Sequence, residues 1–228
     1  MKKQGGIKMG VRVLIVTSFL LVVNSAMWAQ PRVEITPFAA YTFSEGINFN
    51  AADIGSGTTI SRLTPKSGVS YGFQADWLAS EHFAIGFLFS NQHSKLEASI
   101  LGGGKTELTD MKVRNYHGVF TIDLAGKKAR VSPFFFGGLG ATQYSPDAIM
   151  GNSIQSTTRF STTWGGGVRT YVSEDIGFRF TGRWTPTYYN SDPAGIWCSP
   201  FWGFGCWVVS ESNYSHQFEL SAGVTFRF

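Results

Sequence analysis

Residues 214–228 read YSHQFELSAGVTFRF, and they separate into two sets by parity. Phe218, Leu220, Ala222, Val224, Phe226 and Phe228 fall on one side, while Gln217, Glu219, Ser221, Gly223, Thr225 and Arg227 fall on the other. Side chains of a strand alternate between faces with a period of two, so this is one strand with an apolar and a polar face. Its length exceeds the roughly 9–11 tilted residues that cross the apolar slab of a bilayer. The segment reads as one stave of a membrane barrel, with lipid on one face and a polar lumen on the other.

The opposite end of the chain fixes the route. Lys2, Lys3, Lys8 and Arg12 precede the apolar run 13–23, followed by Asn24, Ser25, Ala26 and then Ala29. A basic segment, an apolar core of about 7–15 residues and small residues at the cut describe an export signal. Cleavage is expected after Ala29, so residues 1–29 are the signal peptide and 30–228 the mature domain. Removing those four basic residues from the 19 leaves 15 against 15 acidic residues. The formal charge of +4 therefore belongs to the leader, and the mature chain offers no basic groove for nucleic-acid phosphates.

Moving inward from residues 214–228, strands are expected at 32–43, 67–78, 82–93, 110–124, 131–143, 158–172 and 175–187. With the last strand these make eight, an even number that closes an antiparallel barrel. The connections alternate in length: 44–66, 94–109, 144–157 and 188–213 are long, whereas 79–81, 125–130 and 173–174 are short. The expected fold is an all-β, eight-stranded antiparallel transmembrane β-barrel with short periplasmic turns and long extracellular loops. The first loop, rich in Gly, Ser, Thr and Asn, reads as flexible solvated surface. Export combined with membrane-spanning strands points to an outer membrane.

Alternation does not say which face is inside. A soluble secreted barrel shows the same period with its apolar side chains packed centrally. Strand length, loop rhythm, aromatic residues near strand ends and small residues on the non-aromatic face favour rings outward. The run Phe134, Phe135, Phe136 declares no face at all. With the rings outward, the lumen receives Glu34, Asp76, Asp123, Arg159, Arg169, Arg179, Arg183, Glu219 and Arg227, together with Gln74, Asn115, His117 and Gln217. Charges enclosed at low dielectric must be paired or hydrated, so a network of ion pairs and waters is expected in place of an apolar core. Glu219 has two candidate partners on the neighbouring strand, Arg179 and Arg183. The same residues could instead line a narrow solute path, although side chains largely fill an eight-stranded interior.

The last loop has an unusual composition. It holds Trp197, Phe201, Trp202, Phe204 and Trp207, and Cys198 and Cys206 enclose seven residues. Export places these two cysteines where disulfides persist, and a Cys198 to Cys206 bridge is expected. The aromatics form either a lid over the barrel mouth or a recognition surface for a small hydrophobic ligand, a lipid or an external surface.

Chemistry is not expected. His82, His93, His117 and His216 belong to no close ligand cluster, so neither a metal nor a cofactor site is read. Gly165, Gly166 and Gly167 lie within a strand, where they bend or pack the wall rather than cradle phosphate. His117 and Asp123 are separated by about 20 Å of extended chain. The protein is read as non-enzymatic.

The opening strand Val33-Glu34-Ile35-Thr36-Pro37-Phe38 after the leader, the Ser-Glu turns and the terminal Phe226-Arg227-Phe228 resemble the small eight-stranded outer-membrane β-barrels, the OmpA membrane domain, OmpX and OmpW types. That resemblance implies the outer membrane of a Gram-negative-type bacterium, with outer-membrane lipids around the wall. It also implies periplasmic chaperones and the barrel-assembly machinery as partners, with Phe228 as the assembly signal. The functions it implies are envelope integrity, surface recognition or, as in the OmpW type, a narrow channel or uptake path for small hydrophobic compounds. Nothing follows the last strand to bind the cell wall, so anchoring there is not expected.

Overall fold

A computed structural model describes residues 32–45, 47–53, 59–100, 103–125, 129–147, 155–188 and 214–228. The expected leader, the expected Cys198 to Cys206 bridge and the aromatic residues of the last loop lie outside the described residues.

The strands are β1 (Arg32–Ser44), β2 (Ile47–Asp53), β3 (Thr59–Pro65), β4 (Gly68–Leu78), β5 (Phe83–Ile100), β6 (Lys105–Asp123), β7 (Val131–Pro146), β8 (Thr157–Tyr171), β9 (Ile176–Tyr188) and β10 (Tyr214–Arg227). Eight of them form the wall. Each pairs antiparallel with its neighbour in the order β4, β1, β10, β9, β8, β7, β6, β5, and the pairing of β5 with β4 closes the ring. At the seam, the Val33 and Phe228 backbones exchange two hydrogen bonds, 3.2 and 2.9 Å long. The terminal aromatic is thereby locked to the first strand.

Two expectations for the long connections are corrected. The first loop is not irregular along its length: β2 and β3 form a hairpin, and β3 pairs with the far end of β5 from Ile60↔Ile100 to Pro65↔Leu96. The second loop shrinks to a turn, because β5 and β6 run on to Ile100 and back from Lys105. Gly103 and Gly104 carry that turn with φ of 105° and 116°, a region open to glycine at no steric cost. On the β5 extension Leu96 and Ala98 are buried, at 2% and 1% exposure, and alternate with Lys95, Glu97 and Ser99. Residues 105–109 of β6 carry only Leu108 as an apolar residue, so their strand character comes from pairing with β5 rather than from a local pattern.

Burial decides the orientation of the alternation. On β10, Phe218 is 53% and Leu220 62% exposed, while Glu219 between them is 4% exposed. The same inversion runs around the ring: Ile85, Phe120, Phe135, Phe160, Phe180 and Trp184 face outward, and Glu34, Asp76, Asp123, Arg169, Arg179 and Arg183 are buried. In water such a molecule would leave a continuous apolar belt exposed and its charges desolvated, opposite to what a soluble barrel does. In a bilayer both placements are favourable. Tyr41, Tyr71, Tyr116, Tyr188 and Tyr214 lie on the outer face toward the long-loop end, the level where amphipathic rings suit headgroups.

The triple phenylalanine acquires faces from its partner strand. Phe134, Phe135 and Phe136 pair in register with Gly167, Gly166 and Gly165. Phe134 and Phe136 point into the lumen and Phe135 points out at 61% exposure. Each glycine vacates the space that the opposing ring takes. A Cβ on Gly165 would meet Phe136 at 2.6 Å, and one on Gly166 would meet Phe135 at 2.9 Å. Phe134 and Phe136 join Leu88 and Val119 in a small apolar cluster, so the interior is not wholly polar as expected.

Candidate functional site

The interior is organised by four acids and four arginines, all buried: Glu34, Asp76, Asp123 and Glu219 with Arg169, Arg179, Arg183 and Arg227. Register brings like charges side by side on two walls. Glu34 faces Asp76 across β1 and β4, and Arg169 faces Arg179 across β8 and β9. Directly opposed like charges destabilise a sheet locally. Closing the ring reverses the sign, because the acidic wall then faces the basic one. Arg169 Nη1 lies 3.0 Å from Glu34 Oε2 and 3.4 Å from Asp123 Oδ1, and Arg179 Nη1 donates to Asp76 Oδ2 at 3.0 Å.

Nearest the short-turn end, Glu34 is the hub. Arg227 donates to its Oε1 through Nε at 2.9 Å and Nη2 at 2.7 Å, and the Tyr171 hydroxyl donates at 2.7 Å. The Arg227 guanidinium also stacks 4.1 Å from the Tyr171 ring centroid. One level further in, the Gln74 side-chain amide donates to both oxygens of Asp76, at 2.8 and 3.0 Å. Arg179 then rests 4.3 Å from the Phe134 centroid, so the lumenal rings serve the charges as a stacking floor.

At mid-barrel the structure places Arg183, not Arg179, beside Glu219: they are register partners, with Nη2 2.8 Å from Oε2. Arg183 also donates to Ser90 Oγ on β5 at 2.7 Å, reaching the far side of the lumen. Ser70 and Thr42 donate to Glu219 Oε2 at 3.1 and 3.2 Å. Toward the long-loop end the charges give way to neutral groups. Thr142 donates to Asn115 and Ser161, Asn115 donates to Gln217 on the opposite wall, and His117 Nε2 lies 2.9 Å from Ser161 Oγ. His117 and Ser161 have the residue types of a base and a nucleophile. His117 Nδ1 has no hydrogen-bond partner to orient the ring, and both side chains are fully enclosed.

Little space remains beside Arg179 and Arg183. The void bounded by Thr36, Gln74, Arg179, Arg183, Glu219 and Ser221 is about 10 Å³, room for about one water. Tyr171, Ser90, Phe134 and Phe136 belong to the network although they were not among the expected lumenal residues. Tyr171 shares odd parity with Arg159 and Arg169, a signal that would have placed it inside. Ser90 carries the same signal, sharing even parity with Ala84, Gly86 and Leu88 against Phe83, Ile85, Phe87 and Phe89, but its partner across the lumen is not legible from parity.

No protein-family model matches the sequence, and no curated protein matches it. Solved structures do resemble the fold. Neisserial surface protein A is 18% identical, with a TM-score of 0.53 over 86% of this chain and 97% of that one. The outer membrane protein OprG from Pseudomonas aeruginosa is 12% identical, with a TM-score of 0.53 over 87% of this chain and 96% of that one. This chain has the fold of the small eight-stranded outer-membrane barrels. Apolar belt, tyrosine level and charged interior are thus three parts of one architecture.

Proposed function

We propose that this chain is a non-enzymatic barrel of the outer membrane of a Gram-negative-type bacterium. Its lumen is a closed polar strut, and its working surface lies at the long-loop end. The short turns then face the periplasm, and the β2–β3 hairpin with the extended β5 and β6 projects outside the cell. The observation that carries this reading is the crossing of the lumen at successive levels by the Arg169–Glu34 and Arg179–Asp76 ion pairs and the Arg183–Ser90 hydrogen bond, with room for about one water in the void beside Arg179 and Arg183. A solute path needs a continuous column, which the Arg179 to Asp76 and Arg183 to Ser90 contacts interrupt. The aromatic segment bearing Trp197, Phe201, Trp202, Phe204 and Trp207, closed by the Cys198 to Cys206 bridge, supplies a recognition surface for an external or lipid partner.

Insertion of the folded protein into a planar bilayer tests the strut directly. Folded insertion, checked by protease protection, is expected to leave the membrane without stepwise current. Discrete openings from the unaltered protein would instead support a narrow channel and overturn the reading.

A further inference from the structure

The outer wall carries a groove that the lumenal network does not explain. It has a volume of about 680 Å³ and an almost wholly apolar lining. Register shows how it is made. One outward row runs Phe120, Gly137, Trp164, Trp184, Phe218 across β6 to β10, each residue the partner of the next. A second outward row, two residues nearer the short turns, runs Ile122, Phe135, Gly166, Gly182, Leu220. Between them lies the inward row containing Phe136, Gly165, Arg183 and Glu219, which shows only its backbone to the outside. The groove is thus a trough between two rows of side chains, floored by the wall itself.

Its dimensions suit one hydrocarbon chain. The trough crosses four inter-strand gaps of about 4.8 Å, roughly 19 Å in all, and is two residues wide. Trp184 and Phe218 stack along one bank, with centroids 6.3 Å apart and planes 17° from parallel. Gly137 leaves room for the Trp164 ring, which a Cβ there would meet at 2.9 Å. The other bank is breached where Gly166 and Gly182 are neighbours. A Cβ on Gly182 would find only Leu220 Cδ2, at 3.7 Å, and the Gly166 carbonyl oxygen, at 4.0 Å, so the notch is open space.

We propose that this trough holds one acyl chain of a membrane glycerolipid as a resident ligand rather than as exchanging solvent. The inference rests on the reading that the wall lies in lipid. Within the apolar belt the medium is hydrocarbon, so transfer from water gives no driving force and selection comes from packing against a fixed shape. A concave strip with rigid ring banks offers that shape.

The test uses the mature protein refolded in palmitoyl-oleoyl phosphatidylethanolamine vesicles, extracted and weighed intact by native mass spectrometry. One phospholipid per barrel is expected to survive extraction. Gly182→Leu, which fills the notch, is expected to lose it while still folding, and Gly182→Ala is expected to keep it. Equal retention by the folded Gly182→Leu protein, or no adduct on the unaltered protein, would overturn the proposal. An adduct with the mass of palmitate would do the same, as would a dimer abolished by Gly182→Leu. Failure of the strut reading would register separately, as current across the bilayer.

Discussion

Asp76 and Arg179 show what an enclosed charge demands. Each is nearly inaccessible, and their contact spans the lumen from β4 to β9. Removing one partner leaves the other buried and uncompensated, a loss of about 3–5 kcal/mol. Asp76→Ala is therefore expected to lower the unfolding free energy by that amount in urea titrations of the bilayer-inserted protein. Combining Asp76→Leu with Arg179→Met should recover most of it. Outside the belt the electrostatics differ in scale. Glu107 accepts from Lys95 at 2.7 Å and Lys66 at 2.9 Å, and these two contacts lower its carboxyl from the ordinary 4.5 to about 2. A depressed carboxyl stabilises the fold above its unfolded value, and that contribution fades as pH falls from about 4.5 toward 2. The cluster is exposed, so salt screens it. Carbon-detected NMR should find the Glu107 midpoint near 2 at low salt and nearer 4.5 in high salt; a salt-independent 4.5 would contradict the pairing.

At the scale of elements, β7 and β8 carry the most specific fit, three rings laid on three glycines. A Cβ on Gly167 would collide with the Phe180 carbonyl oxygen and meet Phe134 Cζ at 3.0 Å. Gly167→Ala is expected to lower the unfolding free energy by about 1–3 kcal/mol, as overpacking does, whereas Gly182→Ala should change it little. For the last loop, intact-mass measurement after alkylation should show no adduct without reductant and two with it, as a Cys198 to Cys206 bridge requires. Strand existence was legible because the wall strands alternate clearly, as in 69–77 and 214–228. Strand ends on β5 and β6 were less so: Leu96 and Ala98 alternate inward on 94–100 over only a short run, and 105–109 gain their order from pairing. The faces of residues 134–136 were equally hidden. A run of three identical rings has no parity of its own, and only pairing with residues 165–167 assigns it.

For the whole molecule, alternation determines a two-faced strand but not which face is enclosed. Alternation alone leaves lipid-facing and centrally packed rings as mirror solutions, and strand length and loop rhythm favour the first. Burial selects between them, and the like-charge neighbours explain why: Glu34 beside Asp76 and Arg169 beside Arg179 are tolerable only when the two walls face each other across a closed ring. The lumenal charges therefore favour barrel closure, a property no single strand displays. The register of Arg183 with Glu219 became visible only at this level, because parity admits Arg179 equally well.

The most direct test places spin labels singly at residues 217–226 of the bilayer-inserted protein and measures their accessibility to oxygen and to a water-soluble nickel chelate. Labels at 218, 220, 222, 224 and 226 are expected to be reached by lipid-dissolved oxygen and shielded from the chelate, with the intervening positions low in oxygen. Oxygen accessibility peaking at the odd-numbered positions, or chelate access at 218 and 220, would contradict the account.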